Sequence, residues 1–425
     1  MKANAIVACL LLAGFASAAE IDSVRLDALI AAEEPGLVSI RRQIHANPEL
    51  SNHEVETAKL VADQLRSIGL SPRVGVAKTG VVAVIEGTSR EPCVLLRADM
   101  DALPIDEPNE VPYRSRNPGV KHACGHDLHT SILIGAARVL AQLRSELPGS
   151  IKLVFQPAEE GPPLGEEGGA ELMIKEGTLE NPPVAAAFAL HVDPDYNAGT
   201  VTLRPGPDMA NADTFEIVIT GTRSHGAQPH LGVDPIPVAA QIVLELQTMI
   251  TRTQDARTPV IISVGQIEGG TRPNVIAGSV RIAGTLRTID LRQRDEIKAR
   301  MEKIVRSNCE AFDATYTFNC VNVAPMVRND VDLARKARAI LQRYLGGQHV
   351  LENPPHMIAE DFAEFAARVP AVLYHLGVRS TARGFTHPLH SELFDADEAA
   401  IEVGVKAMCA LAIETLRDPP AAPKR

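Results

Sequence analysis

The run His122-Ala-Cys-Gly-His-Asp127, with His129 just after it, sets a thiol, imidazoles and carboxylate chemistry side by side. Cys and His are ligands for zinc-like ions, and Asp holds or bridges a hard divalent cation. Leu128 to Leu147 carries apolar residues at helical spacing, so the run sits at a helix N-terminus, where free N–H groups and the dipole favour a thiolate or carboxylate. Alone, such a run is equally well a buried Cys beside capping residues. Its company decides. Asp99 and Asp101 follow the apolar run Cys93 to Ala98, Glu159 and Glu160 follow Ile151 to Phe155, and His191 ends Val184 to Leu190. Ligands in open α/β sheets bind beyond the carboxyl ends of parallel strands, so these groups together read as one metal-binding site. The rival pair Glu166-Glu167 has no strand before it and reads as the first turn of a helix.

The elements that position these residues follow from apolar periodicity. Ile21 to Ile44, interrupted near Pro35, and Glu54 to Ile68 are helical, and Gly69 stands just past the second. Val81 to Ile85 and Cys93 to Ala98 are short apolar runs of the kind buried on both sheet faces. A strand at Ile151 to Phe155, a helix at Ala170 to Lys175 and a strand at Val184 to Leu190 complete an α/β pattern. After Arg204-Pro-Gly-Pro207 the texture changes to strand Thr214 to Thr220, helix Pro235 to Thr251, strands Val260 to Ile267 and Ser279 to Ile289, helix Arg292 to Phe312 and strand Thr315 to Val323. That β-α-β-β-α-β order predicts a ferredoxin-like domain inserted over 209–323. Helix Val331 to Tyr344, a short helix at Glu360 to Ala367, strand Ala371 to Leu376 and helix Asp397 to Leu416 return to α/β, so the larger domain is discontinuous, 19–208 and 324–418.

Lys2, the apolar run Ile6 to Ala16 and the small residues Ala16-Ser17-Ala18 read as a signal peptide over 1–18, which predicts a secreted or periplasmic protein. No later run is long and apolar enough to span a membrane. A net charge of -11 without a basic stripe argues against nucleic acid. Cys93, Cys124, Cys309, Cys320 and Cys409 are too few and too odd for a disulfide framework, though Cys309 and Cys320 could pair. With no Trp, the core rests on Val, Ile, Leu and Ala, and the Pro/Ala/basic stretch 419–425 reads as a disordered tail.

Arg97–Pro104 (RADMDALP), His122–Asp127 (HACGHD), Phe155–Glu160 (FQPAEE), Ala189–Val192 (ALHV), Ser224–His230 (SHGAQPH), Arg272–Asn274 (RPN), Ala359–Ala363 (AEDFA) and Leu389–Ser391 (LHS) together resemble the M20 family of metallopeptidases and amidohydrolases. The closest likeness is to its aminoacylase-like branch, with hippurate hydrolases and indole-acetyl-amino acid hydrolases. The resemblance implies a zinc-peptidase-like α/β catalytic domain carrying the inserted domain, and homodimerisation through that insertion. It implies two divalent ions, zinc in the first place with manganese, cobalt or nickel as alternatives, held by Cys124, His126, Glu160, His191 and His390, with Cys124 as bridge. Adjacent side chains on an extended segment point opposite ways, which would give Glu160 to metal and Glu159 to the attacking water as general base. Asp99, Asp101 and Asp127 would orient ligands. His225 and Asn274 would stabilise the oxyanion, the His in related enzymes often coming from a partner subunit, and Arg272 and Arg287 are candidates for binding the substrate carboxylate. Leu128 and Ala359 depart from the family's usual residues. The implied reaction is hydrolysis of N-acyl amino acids or short peptides with a free carboxylate. The alternatives are a carboxypeptidase or dipeptidase, a non-catalytic binding protein, and an amidase using Cys124 as nucleophile with His126 or His129 as base.

Overall fold

A computed structural model describes residues 23–421, so the proposed signal peptide and the last residues of the tail lie outside the described residues. The chain opens with helices α1 (Ser23–Ala46) and α2 (Val55–Ser67), then strands β1 (Arg73–Val76), β2 (Gly80–Glu86) and β3 (Cys93–Asp99). Helix α3 (His126–Gln142), β4 (Ser150–Gln156), α4 (Gly169–Lys175), β5 (Val184–Asn197) and the short β6 (Val201–Thr202) follow. Strand β7 (Gly206–Met209) leads out to β8 (Asn211–Thr220), α5 (Pro235–Thr253), β9 (Val260–Gly269), β10 (Ser279–Thr288), α6 (Leu291–Ala311) and β11 (Thr315–Ala324). Strand β12 (Val327–Asn329) leads back to α7 (Val331–Leu345), β13 (Val350–Leu351), α8 (Ala363–Ala366), β14 (Ala371–Arg379) and α9 (Ala400–Arg417).

Eight strands form one sheet in the order β1-β2-β4-β3-β5-β14-β6-β13, parallel at its centre through β4, β3, β5 and β14. Alternation divides each central strand between two layers. Val94, Leu96, Phe188, Leu190, Val372 and Tyr374 pack beneath α1, α3 and α9, while Leu95, Ala187, Ala189 and Leu373 face α4 and α8. Arg97, Asp99, His191 and His375 therefore fall on the second face, at the carboxyl ends of their strands. Pro35 does not interrupt α1. It is exposed, as is Ala31, so the carbonyl its ring leaves without a donor faces water.

The excursion through β8 and β11 builds a four-stranded antiparallel sheet ordered β11-β8-β10-β9, the ferredoxin-like arrangement expected. Its inner face (Phe215, Ile217, Ile219, Val280, Ile282, Leu286) packs on α5 and α6, a separate core from the large sheet. Asp234 and Asp290 cap those helices by accepting N–H bonds from Ile236, and from Arg292 and Gln293. Paired strands β7 and β12 form the ribbon that joins the two units. Cys309 and Cys320 are both free, so the pairing left open by the sequence does not occur here.

Candidate functional site

Helix α3 begins at His126 because Gly125 turns the chain there, with φ 84°. A Cβ at Gly125 would lie 2.4 Å from Val192 Cγ2, so the glycine also allows the Cys124 loop to close on the end of β5. Cys124 Sγ then stands 3.4 Å from His191 Nε2. His191 Nδ1 donates to the Val192 carbonyl at 2.8 Å, which fixes the tautomer and leaves the Nε2 lone pair facing Cys124. His390, with φ 61°, is anchored by its N–H to the Ala123 carbonyl at 2.9 Å and brings Nε2 to 3.2 Å from Glu160 Oε1.

Glu159 and Glu160 lie on a turn, not on the extended segment expected, because Ala158 adopts φ 54°. Both carboxylates approach His126 Nε2, at 3.8 and 4.0 Å. Their neighbours distinguish them: Glu160 has a ligand atom within 4.8 Å of those of Cys124 and His390, whereas the strongest charge acting on Glu159 is that of Glu360. Asp101 holds the turn, accepting the Glu159 N–H at 3.1 Å, the Glu160 N–H at 3.0 Å and the Ser51 hydroxyl at 2.7 Å. The same carboxylate lies 3.3 Å from His126 Nδ1. Asp99 accepts from His129 Nδ1 and Arg97 Nη1, both at 2.6 Å.

Burial, then the like charges of Glu360 and Glu160, raise Glu159 well above the usual carboxylate range. Burial, reinforced by Glu160 and Glu159, likewise pushes the Cys124 thiol well up. For Asp99 burial acts in the same sense but is outweighed by His126, His129 and Arg97, which hold it well below its ordinary value. These residues suit divalent cations. Both His126 nitrogens and Glu160 Oε1 are buried without a hydrogen-bond partner among the described residues. Cys124, His126 and His191 bring ligand atoms within 4.8 Å of one another, as do Cys124, Glu160 and His390. The thiol belongs to both groups, as a ligand bridging two ions would.

Other expected residues behave differently. Asp127 turns away from the ligand groups: its Oδ2 accepts from Arg41 Nε and pairs with His45 Nδ1, each at 2.7 Å, in a buried network completed by Glu107, Asp395 and Glu398. It ties α1 to α3 and does not orient His126. His129 is spent, with Nδ1 on Asp99 and Nε2 accepting the Val192 N–H at 2.9 Å, so it is neither ligand nor base for Cys124. Burial pushes the thiol up, and of the two bases considered for a Cys124 nucleophile only His126 keeps its nitrogens without hydrogen-bond partners among the described residues. Leu128 belongs to the core beneath the sheet. Glu166 and Glu167 are exposed partners of Lys78 and Lys175 in the turn before α4.

Glu159, Glu160, Glu360 and His390 line a cleft of about 680 Å³ whose far wall is the near end of the inserted sheet, Ala212, Val323, Ala324 and Arg287. Arg287 is half-buried with no ion pair among the described residues. Its pKa is lowered by burial alone. His225, Asn274 and Arg272 do not join it. They are exposed on loops at the opposite end of the same sheet, where Gly226 N–H donates to the Asn274 carbonyl. Ten residues of β8 separate the two ends, about 30 Å at ~3.3 Å per residue, so these side chains cannot reach the cleft of their own chain.

Residues 95–414 match the profile of Peptidase family M20/M25/M40. The chain belongs to that family. Membership makes it a hydrolase of amide bonds. It is 38% identical over 383 residues to Thermostable carboxypeptidase 2 of Saccharolobus solfataricus, covering 90% of this chain and 95% of the relative. It is 38% identical over 368 residues to N-acetyl-L-cysteine deacetylase of Bacillus subtilis, covering 87% and 85%. Among solved structures it superposes with a TM-score of 0.80 and 32% identity on the Bacillus subtilis YXEP protein, a dinuclear metal binding peptidase from the M20 family, covering 91% of this chain and 99% of that one.

Sequence reasoning missed three groups. Arg97, fully buried, donates to Gln156 Oε1, Asp99, Glu360 and Asp361, and so draws the ends of β3 and β4 and the loop before α8 together. Its place in the RADMDALP run was the available signal. Glu54 accepts the Ala158 N–H at 2.9 Å and so supports the left-handed residue before Glu159. The third is a group around Asp193, His356 and His375, whose members are far apart in the chain. Nothing local marks either of the last two.

Proposed function

We propose that this protein hydrolyses the amide bond of N-acyl amino acids or short peptides that carry a free carboxylate, with Glu159 as general base. The observation that carries the reading is a thiol common to two ligand groups, two of whose members, Glu160 and His390, line with Glu159 a cleft that also holds Arg287, an arginine without an ion pair among the described residues. Cys124, His126, Glu160, His191 and His390 would hold two divalent ions, zinc or alternatively manganese, cobalt or nickel. Such ions, when bound, polarise the scissile carbonyl and acidify water. Glu159 removes the proton of the attacking water and delivers it to the leaving nitrogen, so that a C–O bond forms as the C–N bond breaks and a carboxylate and an amine depart. Arg287 grips the substrate carboxylate bidentately. His225 and Asn274 of the partner subunit donate to the oxygen on which charge develops.

Dimerisation through the inserted unit is part of this reading. It is supported by the ~30 Å separation above and by edge strand β9, which exposes Ile261 and Ile267. Export is a further part, resting on residues 1–18, and mature protein isolated from its natural host with Met1 still in place would contradict it. The similarity to a deacetylase of N-acetyl-L-cysteine supports acyl-amino acids over longer peptides, and the similarity to a carboxypeptidase keeps short peptides in the test. The experiment is chelation followed by readdition of each metal, assayed on a panel of N-acyl amino acids, their carboxamides and dipeptides. Loss and recovery of hydrolysis with a preference for free carboxylates is expected. Hydrolysis indifferent to chelators but abolished by alkylation would overturn the reading in favour of Cys124.

A further inference from the structure

A second group of metal-ligating side chains lies two residues beyond His191. Asp193 on β5, His375 on β14 and His356 in the loop before α8 bring one ligand atom each within 4.8 Å of one another. His375 is the register partner of His191, so the parallel pairing of β5 with β14 sets this group beside the cluster already described. The proposed reaction uses none of its members.

Their polar atoms are not spent on each other. Asp193 Oδ1 accepts the Asp195 N–H at 2.9 Å, but its Oδ2 is buried without a hydrogen-bond partner among the described residues, in a residue only 4% exposed. His356 Nε2 is buried and unpartnered in the same way. The two atoms face one another at 3.6 Å, too far for a hydrogen bond. Two ligands each ~2.0–2.1 Å from a tetrahedral zinc ion stand about 3.3 Å apart, close to this spacing. Behind them, Asp208 Oδ2 lies 2.8 Å from His375 Nε2, and Asp208 Oδ1 accepts from Asn353 Nδ2 at 3.1 Å. With Nε2–H given to Asp208, His375 carries its lone pair on Nδ1, the carboxylate-backed histidine that metal sites employ. The His356 and His375 ring centroids are 4.3 Å apart, with the ring planes tilted by 39°.

From this geometry we infer that Asp193, His356 and His375 form a divalent-cation site of their own, distinct from the Cys124 groups and taking a zinc-class ion. Two imidazoles and one carboxylate suit that class and leave a coordination position for water. The site lies at the junction of the two units. Asp208 belongs to β7, and the His356 N–H donates to the Asp208 carbonyl at 2.8 Å. A cation here would fasten β5 and β14 to the ribbon that carries the inserted sheet. The competing occupant is a buried water bridging the same atoms.

The test counts metal and does not depend on the substrate. The full chain is stripped with chelator, reloaded with Zn²⁺ by equilibrium dialysis, and its zinc measured by mass spectrometry. Wild-type protein is expected to hold one zinc ion more per chain than Asp193→Asn or His356→Ala. In a Cys124→Ser/His126→Ala background, one zinc ion should remain and disappear when His356→Ala is added. Equal zinc in wild type and in both folded variants would overturn the inference and leave a water at the site. Should the His356 variants fail to fold, Co²⁺ titration of the Cys124→Ser/His126→Ala chain answers the same question. One equivalent should give d–d absorption without a thiolate charge-transfer band, and no such absorption would equally overturn the site.

Discussion

At the scale of single residues, the site turns on two carboxylates that share a turn but not an environment. Glu160 Oε1 faces His390, while Glu159, the proposed general base, is raised by burial and by the like charges of Glu360 and Glu160. Glu159→Gln should therefore lower kcat by about 10²–10⁴-fold or more while bound metal, measured by mass spectrometry, stays at the wild-type level. Loss of metal with the mutation would exchange the roles of Glu159 and Glu160. Arg287 is the half-buried guanidinium on the opposite wall, without an anion to pair with among the described residues. Removing it as Arg287→Ala should cost ~1.5–3 kcal/mol of binding to carboxylate substrates, a rise of roughly 10–150-fold in KM or fall in kcat/KM. The same variant should act on the corresponding carboxamides almost as wild type does. An equal loss on both would remove Arg287 from carboxylate binding.

At the scale of elements, the start of α3 and the turn after β4 are the two local structures that must be right. Gly125→Ala would place a Cβ against Val192 in a left-handed conformation. The conformation costs ~1–2 kcal/mol and the overpacking ~1–3 kcal/mol. A thermal midpoint several degrees below wild type is expected, partly restored by Val192→Ala, which relieves only the steric share. The turn after β4 depends on Asp101 and Glu54. Burial, with the nearby charge of Asp101, raises Glu54 from 4.5 to about 7. Between those values the native chain binds the Glu54 proton and the unfolded chain does not, so this residue's contribution to stability falls as pH rises through the window. In chelator-treated protein, Glu54→Gln should thus gain stability relative to wild type from pH 4.5 to 7, by up to about 3 kcal/mol. A difference that does not change with pH in thermal melts would show that Glu54 is ionised throughout. Asp127 teaches a related point: a carboxylate one residue from His126 serves α1 through Arg41 and His45.

At the scale of the whole molecule, the inserted sheet offers its two ends to different tasks. Arg287 and Ala212 wall the cleft of their own chain, while His225 and Asn274 stand at the far end. If they serve a partner's site, two inactive proteins can make an active one. Glu159→Gln and His225→Ala homodimers should each be nearly inactive, and mixing them under conditions that exchange subunits should restore activity. Each heterodimer has one site with both Glu159 and the partner's His225 intact. With random exchange about half of all dimers are heterodimers, each with one working site of two, so recovery should approach a quarter of wild type. No recovery despite demonstrated exchange would confine each site to one chain.

The order of elements, the ferredoxin-like insertion and the run of polar residues at strand ends were legible in the sequence alone. Apolar periodicity is a local property, and the carboxyl end of a buried strand is where its pattern stops. That Cys124 and His126 stand together was legible as well, because they are neighbours at the start of one helix. The direction of each polar side chain was not, because it is set by partners distant in the chain. Asp99 and Asp127 look alike in sequence, yet Arg97 and His129 hold the first beside His126, and Arg41 and His45 draw the second away. Both nitrogens of His129 are engaged, by Val192 and Asp99, which its place three residues after His126 does not reveal. Only the pairing of β5 with β14 and the path of the ribbon bring Asp193, His356, His375 and Asp208 together. Periodicity determined where chemistry could be placed, and tertiary contacts decided which residues are free to perform it.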